Sequence, residues 1–95
     1  MSGPLDGFKI IEFAGLGPAP FAGMMLGDMG ADVVRIDRIG GHPSTVDARK
    51  NILDRSRRSV GINLKSAAGV DTALRLIEHA DALVEGFRPG VMERL

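Results

Sequence analysis

Residues 8–37 read FKIIEFAGLGPAPFAGMMLGDMGADVVRID, and this stretch sets the class of the fold. Residues 8–13 are rich in β-branched and aromatic side chains, which is typical of a strand. A turn rich in glycine and proline follows, and a helix is predicted from about Pro18 or Pro20 to Met29, because proline suits a first helical turn. A second strand is predicted over 31–37. Strand, short turn, helix and strand form a βαβ unit, in which the two strands are parallel.

The rest of the chain repeats this alternation of strand and helix. Alternating apolar residues predict a strand over 59–64, and Ser66 is the predicted N-cap of the helix that follows it. A short strand is expected over 82–85, and a further helix begins at Val91. Between these halves the only predicted element is a short helix over 45–54. The sequence therefore predicts an α/β fold with a parallel, Rossmann-like sheet.

Both longer helices are predicted to carry an apolar face at helical spacing. The residues of these faces are Phe21, Met24 and Met25 on the first helix, and Val70, Ala73, Leu74 and Ile77 on the second. Parallel sheets normally have helices on both of their faces. We therefore expect part of this apolar surface to contact segments that the 95 residues do not supply.

The composition excludes several classes of function. The 95 residues contain 12 Lys and Arg against 12 Asp and Glu, which argues against binding to nucleic acid or to an anionic membrane through net charge. The chain has no Cys, so disulfide scaffolds, zinc–thiolate sites and thiol nucleophiles are excluded, and no metal site is predicted. No export signal or membrane span is evident in the sequence, so a cytoplasmic location is predicted.

The first strand-to-helix turn is one candidate binding site. Gly15, Gly17 and Pro20, with Asp37 some twenty residues later, are spaced like a dinucleotide-binding fingerprint. Ligands of open parallel sheets bind at the carboxyl ends of the strands, where helix N-termini offer N–H groups to anions. The third position of the fingerprint is Pro rather than Gly or Ala, so a tight βα turn without a ligand remains an alternative.

Cationic side chains form the second group of candidates. Arg38 directly follows the second strand, where a nucleotide phosphate or purine would lie, although it could instead be a surface residue paired with Asp37. Further cations could hold a polyphosphate, or could form a solvated face balanced by Asp47 and Asp54. These cations are Arg55, Arg57, Arg58, Lys65 and Arg88.

Three ordered motifs together resemble a known family. They are GLGPAPFAGMMLGDMGADVVRIDR at 15–38, RRSVGINLK at 57–65 and ADALVEGFRPGVMERL at 80–95. This arrangement resembles the N-terminal segment of the α-methylacyl-CoA racemases, which belong to the family III CoA-transferase superfamily. The resemblance covers essentially the whole chain except for about 40–51.

The resemblance implies a binding site for the nucleotide end of coenzyme A. Arg38 matches an arginine that contacts the adenine nucleotide. The segment Ile62, Asn63, Leu64 and Lys65 matches the lining of the pocket for adenine and the ribose phosphate, with Lys65 as its cation.

Two turns are implied to lie along the rest of coenzyme A. The first turn matches a segment near the thioester, and its residues are Leu16, Gly17 and Pro18. The turn after the last strand matches a segment beside the pantetheine and the diphosphate, and its residues are Gly86, Phe87 and Arg88.

The implied activity is racemisation of a 2-methylacyl-CoA ester by 1,1-proton transfer at the carbon α to the thioester, a reaction of fatty acid metabolism. The family's catalytic His and Asp lie beyond residue 95, so residues 1–95 are expected to form part of a CoA-binding domain that is inactive alone. Coenzyme A is expected as part of the substrate, with no covalently bound cofactor, and the full-length protein as a homodimer. Gly17 stands where the transferases often carry Gln, which favours a racemase.

Three alternatives remain open at this point. One is a fragment of a family III CoA-transferase, whose chemistry proceeds through an acyl anhydride on an Asp. Another is a stand-alone nucleotide-binding or NAD-binding module without catalysis, which the βαβ unit by itself would allow. The third is a structural fragment with no activity.

Overall fold

A computed structural model describes residues 3–15, 18–39 and 55–94, without the side chains of Pro18 and Arg38. The described strands and helices, in chain order, are β1 Lys9–Phe13, α1 Pro18–Asp28, β2 Asp32–Arg38, β3 Arg57–Ile62, α2 Ala67–Glu78, β4 Ala82–Val84 and α3 Val91–Arg94. The helix predicted over 45–54 lies outside the described residues.

The four described strands form one parallel sheet in the order β3-β2-β1-β4. β1 pairs with β2 from Lys9 opposite Asp32 to Phe13 opposite Ile36, and α1 makes the connection between them. The predicted βαβ unit and the predicted α/β class are therefore confirmed. Because all four strands point the same way, their carboxyl ends meet at one edge of the sheet.

β3 lies two residues earlier than predicted. The sequence pattern placed this strand at 59–64, whereas the structure pairs Arg57–Ile62 with β2. The strand ends because Asn63 turns the chain, with its Oδ1 accepting a hydrogen bond from the backbone N–H of Lys65 at 3.0 Å. It begins earlier because the arginines at its start find carboxylate partners.

The two longer helices lie on opposite faces of the sheet. Side chains alternate between the faces of a strand, so Ile11 and Phe13 of β1 pack in a core with Ala73 of α2. On the other face Ile10 packs in a second core, which Leu26 of α1 partly covers. The part of the chain that the structure describes holds no helix long and apolar enough to cross a membrane.

The predicted apolar faces of the helices are only partly buried. Met24 and Ala73 are buried, whereas Phe21 and Met25 are 46% and 44% exposed and Leu74 of α2 is 58% exposed. Part of this apolar surface is therefore uncovered, as expected. The buried positions of α1 are mostly small residues: Ala19, Pro20, Gly23, Met24 and Gly27. Small residues let the helix axis approach the sheet closely, which the apolar periodicity alone does not show.

Ser66 is the N-cap of α2, as the sequence predicted. Its Oγ accepts a hydrogen bond from the backbone N–H of Gly69 at 3.0 Å. This bond satisfies one of the backbone donors left free in a first helical turn. The cap fixes where α2 starts and therefore fixes the turn that joins it to β3.

Candidate functional site

A cleft of about 400 Å³ lies at the carboxyl ends of β1, β2 and β3. It is the edge of a parallel sheet at which ligands bind. Its lining brings together several of the predicted site residues, namely Ile62, Asn63, Leu64, Lys65 and Phe87. The other lining residues are Phe13, Ala14, Ile36, Asp37 and Ile39.

The turn after β3 forms one wall of the cleft, and local hydrogen bonds hold it. The backbone carbonyl of Asn63 accepts from the N–H of Ser66 at 3.2 Å and from its hydroxyl at 3.1 Å. Gly69 lies so close to this carbonyl that a Cβ on Gly69 would collide with it. The turn therefore presents the exposed side chain of Lys65 at the cleft from a fixed backbone. An ammonium group at that place can receive a phosphate.

The turn after β4 forms another wall through Phe87. The ring of Phe87 meets that of Phe13 edge-on, with centroids 6.1 Å apart and planes at 61°. Its backbone N–H donates to Glu85 Oε2 at 2.9 Å. An added Cβ on Gly86 would lie 3.0 Å from the Cβ of Ala19, so this turn packs directly against the first turn of α1.

The other predicted site residues lie outside the lining of the cleft or outside the described residues. Arg88 is exposed and does not belong to the lining of the cleft. Arg38 ends β2 opposite Ile62, which puts its backbone at the cleft edge, but its side chain is outside the description. Leu16 and Gly17 lie outside the described residues.

The first turn of α1 is poorer in anion-binding groups than the sequence analysis assumed. The helix begins at Pro18, and Pro20 follows two residues later. Proline has no backbone N–H, so two donors are missing from the first turn. Side-chain cations are therefore better candidates than the helix N-terminus for holding a phosphate at this edge.

Asp37 adds a carboxylate to the cleft. Its Oδ2 lies 3.1 Å from Nε of Arg35 in a partly exposed ion pair, with side-chain exposures of 31% for Asp37 and 18% for Arg35. The cleft thus contains a negative group from β2 and the positive Lys65. A bound phosphate is expected beside Lys65 and away from Asp37.

The arginines before and within β3 are paired with carboxylates. Arg55 and Arg58 find theirs at the edge of the sheet opposite the cleft, whereas Arg57 reaches Glu12 within β1. The pairs are Arg55–Asp28 at 2.6 Å, Arg57–Glu12 at 3.1 Å and Arg58–Asp32 at 2.7 Å. These pairs do not support the expected polyphosphate site, and Asp47 and Asp54 lie outside the described residues.

Asp28 binds the start of β3 through two side chains. Its carboxylate accepts hydrogen bonds from Arg55 and from the hydroxyl of Ser56, the latter at 2.7 Å. The hydrogen bond from Arg55, followed by that from Ser56, lowers the pKa of Asp28. Ser56 has a positive φ of 67°, a conformation that these contacts help to hold.

The pair Glu12–Arg57 is buried and was not among the predicted site residues. The side chains of Glu12 and Arg57 are 0% and 1% exposed. Arg57 Nη1 also donates to the backbone carbonyl of Pro20 at 2.6 Å. The signal was present in β1, because a Glu within an otherwise apolar strand of a parallel sheet must be buried and needs a cationic partner.

A second hollow, of about 510 Å³, lies at the amino edge of the sheet. Its charged lining includes Arg57, Arg58 and Asp32, which are engaged in the ion pairs above. The cleft at the carboxyl edge is therefore the better candidate site. Among the residues that the structure describes, no group of three or more His, Cys, Asp or Glu is placed to hold a metal ion.

Known proteins resemble this chain over nearly its whole length. The sequence model of the family described as CoA-transferase family III matches residues 5–95. Alpha-methylacyl-CoA racemase of Mus musculus is 45% identical over 91 residues, which are 96% of this chain and 22% of the relative. The CoA-transferase/lyase DddD of a Marinomonas species is 47% identical over 92 residues, which are 97% of this chain and 11% of that protein.

A solved structure shares the fold. The crystal structure of the hypothetical protein Rv3272 from Mycobacterium tuberculosis superposes with a TM-score of 0.87 at 33% identity. The match covers 99% of this chain and 28% of that one. The chain thus spans between 11% and 28% of the length of these proteins.

Proposed function

This chain belongs to CoA-transferase family III, and we propose that its cleft binds the nucleotide end of an acyl-CoA ester. The observation that carries the proposal is the meeting of Asn63, Leu64 and Lys65 with Phe87 at the carboxyl edge of the sheet. Two separate sequence motifs supply these residues, and the fold brings them to one cleft. The proposal uses the edge at which parallel sheets bind nucleotides.

The cleft has the chemistry that this end of coenzyme A needs. Ile62 and Leu64 give apolar surface for an adenine ring, Phe87 gives apolar surface for the adjoining pantetheine, and Lys65 gives a positive charge for a phosphate. Arg38, at the end of β2, is proposed as a second contact to the nucleotide. Arg88 is proposed to contact the diphosphate from outside the described cleft.

For the full-length protein we propose racemisation at the carbon α to the thioester. The similarity to alpha-methylacyl-CoA racemase and the Gly17 in the first turn support this choice. In this reaction one base removes the α-proton and a second acid returns a proton to the other face, so both must reach the same carbon. The chain's own part is to hold the coenzyme A portion of the substrate, while residues outside 1–95 supply the two bases. On the resemblance alone, the full-length protein is proposed to be a homodimer.

A CoA-transferase is the second candidate, because DddD is as similar as the racemase. The two reactions are distinguished by incubating the full-length protein with a 2-methylacyl-CoA in deuterium oxide, with and without an acceptor carboxylic acid. A racemase incorporates deuterium at the α-carbon without the acceptor. A transferase converts the acceptor into a new coenzyme A thioester and releases the 2-methyl carboxylic acid, and it does so only when the acceptor is present.

Calorimetric titration of coenzyme A into the full-length protein tests the site itself. Lys65→Ala and Arg38→Ala should each raise the Kd about tenfold or more, since a charge-assisted hydrogen bond contributes roughly 1.5–3 kcal/mol. Arg58→Ala is the matched control, because Arg58 pairs with Asp32 at the opposite edge of the sheet. Unchanged affinity in both site variants would remove the assignment.

A further inference from the structure

The buried pair Glu12–Arg57 is connected to the cleft by a short chain of contacts. Arg57 Nη1 lies 3.1 Å from Glu12 Oε1 and 2.6 Å from the carbonyl oxygen of Pro20. One guanidinium therefore joins β3, the middle of β1 and the first turn of α1. Gly23 makes room for it, because a Cβ at that position would collide with Glu12 Oε1 and would lie 2.7 Å from Arg57 Nη1.

The first turn of α1 in turn supports one wall of the cleft. Ala19, which precedes Pro20, is 4% exposed and packs against Gly86. Gly86 leads directly into Phe87, whose ring lines the cleft against Phe13. A displacement of the first turn of α1 would therefore move the wall formed by Gly86 and Phe87. The opposite wall, after β3, is held by its own hydrogen bonds to Asn63.

We propose that Arg57, held by Glu12, is a positioning residue for the coenzyme A site. It acts through the Pro20 carbonyl and the contact of Ala19 with Gly86, so it sets the wall that faces the pantetheine and diphosphate. This inference rests on the proposed function. Loss of Arg57 should disturb only the wall formed by Gly86 and Phe87, because the wall formed by Asn63–Lys65 does not depend on Arg57.

Two ligands separate positioning from a general effect on folding. Coenzyme A spans both walls, whereas adenosine 3′,5′-bisphosphate lacks the diphosphate and pantetheine and needs only the wall at Asn63–Lys65. The test variant is Glu12→Met with Arg57→Met in the full-length protein, which removes both charges together. Replacing a buried ion pair by apolar side chains of similar size often leaves stability unchanged, but this variant cannot donate to the Pro20 carbonyl.

The variant should unfold at nearly the wild-type temperature and bind coenzyme A about tenfold more weakly, with adenosine 3′,5′-bisphosphate within about twofold of wild type. Asp32→Asn with Arg58→Gln, which removes the exposed pair between β2 and β3, should change neither affinity. Equal weakening of both ligands, or no weakening of either, overturns the positioning role.

If the double variant does not fold, Ala19→Gly tests the same connection, because it removes the Cβ that Gly86 packs against. This variant should again weaken the binding of coenzyme A more than that of adenosine 3′,5′-bisphosphate. An equal effect on both ligands, or no effect, overturns the proposal. If Lys65→Ala weakens coenzyme A binding while these variants do not, the proposed function stands and the positioning role fails. If the wild-type protein binds neither ligand, both fail.

Discussion

Substituting Gly23 by Ala should destabilise the protein, although the substitution is normally favourable within a helix. Alanine is better than glycine by about 1 kcal/mol at an interior helical position. At Gly23, however, the new Cβ would collide with Glu12 Oε1 and lie 2.7 Å from Arg57 Nη1. Both side chains are buried, so neither can swing into solvent without breaking the pair.

The size of this destabilisation follows from the ion pair that the new Cβ would break. Breaking a buried ion pair costs about 3–5 kcal/mol, and the helical gain of about 1 kcal/mol offsets part of it. The net loss is therefore about 2–4 kcal/mol, a large part of the roughly 5–15 kcal/mol by which domains are stable. For a chain of this size, the midpoint of thermal unfolding should fall by roughly 10–25 °C.

The assay is urea and thermal unfolding followed by circular dichroism. Gly61→Ala is the matched control, because a Cβ there makes only an ordinary contact, 3.6 Å from Ile39 Cγ1. The control should unfold within about 1 kcal/mol of wild type, as surface substitutions usually do. A Gly23→Ala protein as stable as the control would refute the tight packing of α1 on the buried pair.

Three further outcomes are expected. The hydrogen bond from Arg55 lowers the pKa of Asp28 from 3.8. The ionised Asp28 therefore stabilises the folded protein fully above that pH, and this stabilisation is lost as the pH falls below it. The difference in urea stability between wild type and Asp28→Asn should therefore shrink from about pH 5 to about pH 2, and a constant difference would contradict this. Ser66→Ala should lower the free energy of unfolding by about 1 kcal/mol in urea titration, because the N–H of Gly69 loses its acceptor; an unchanged value would argue against the cap. The 95-residue chain alone should place no deuterium at the α-carbon of a 2-methylacyl-CoA in deuterium oxide, as followed by mass spectrometry; incorporation proportional to protein concentration would place the bases within it.

Much of the site could be predicted because its residues follow strands. Asn63 and Lys65 come after an alternating apolar run, and the Ser66 cap fixes the helix start that limits the turn. Parallel strands end at one edge, so residues that follow them gather there. The place of Phe87 was expected from the family resemblance, and its ring contact with Phe13 became visible only in the structure.

The partners of the clustered arginines could not be predicted from the sequence. Arg55, Arg57 and Arg58 are adjacent in sequence, which suggested one basic surface. In β3 the side chains of neighbouring residues point to opposite faces, so Arg57 and Arg58 diverge and reach different carboxylates. A local count of charges does not show which distant acid each cation will meet.

The sequence by itself determined the order of the strands and helices, the parallel direction of the sheet, the cap at Ser66 and the family. These features depend on local periodicity, on turn chemistry and on short motifs, all of which are written within a few neighbouring residues. Only the tertiary structure decided that β1 lies between β2 and β4, that Glu12 meets Arg57 beneath Gly23, and that small residues form the buried face of α1. These depend on which distant segments share space, because burial and pairing energies belong to contacts between elements and not to any one of them.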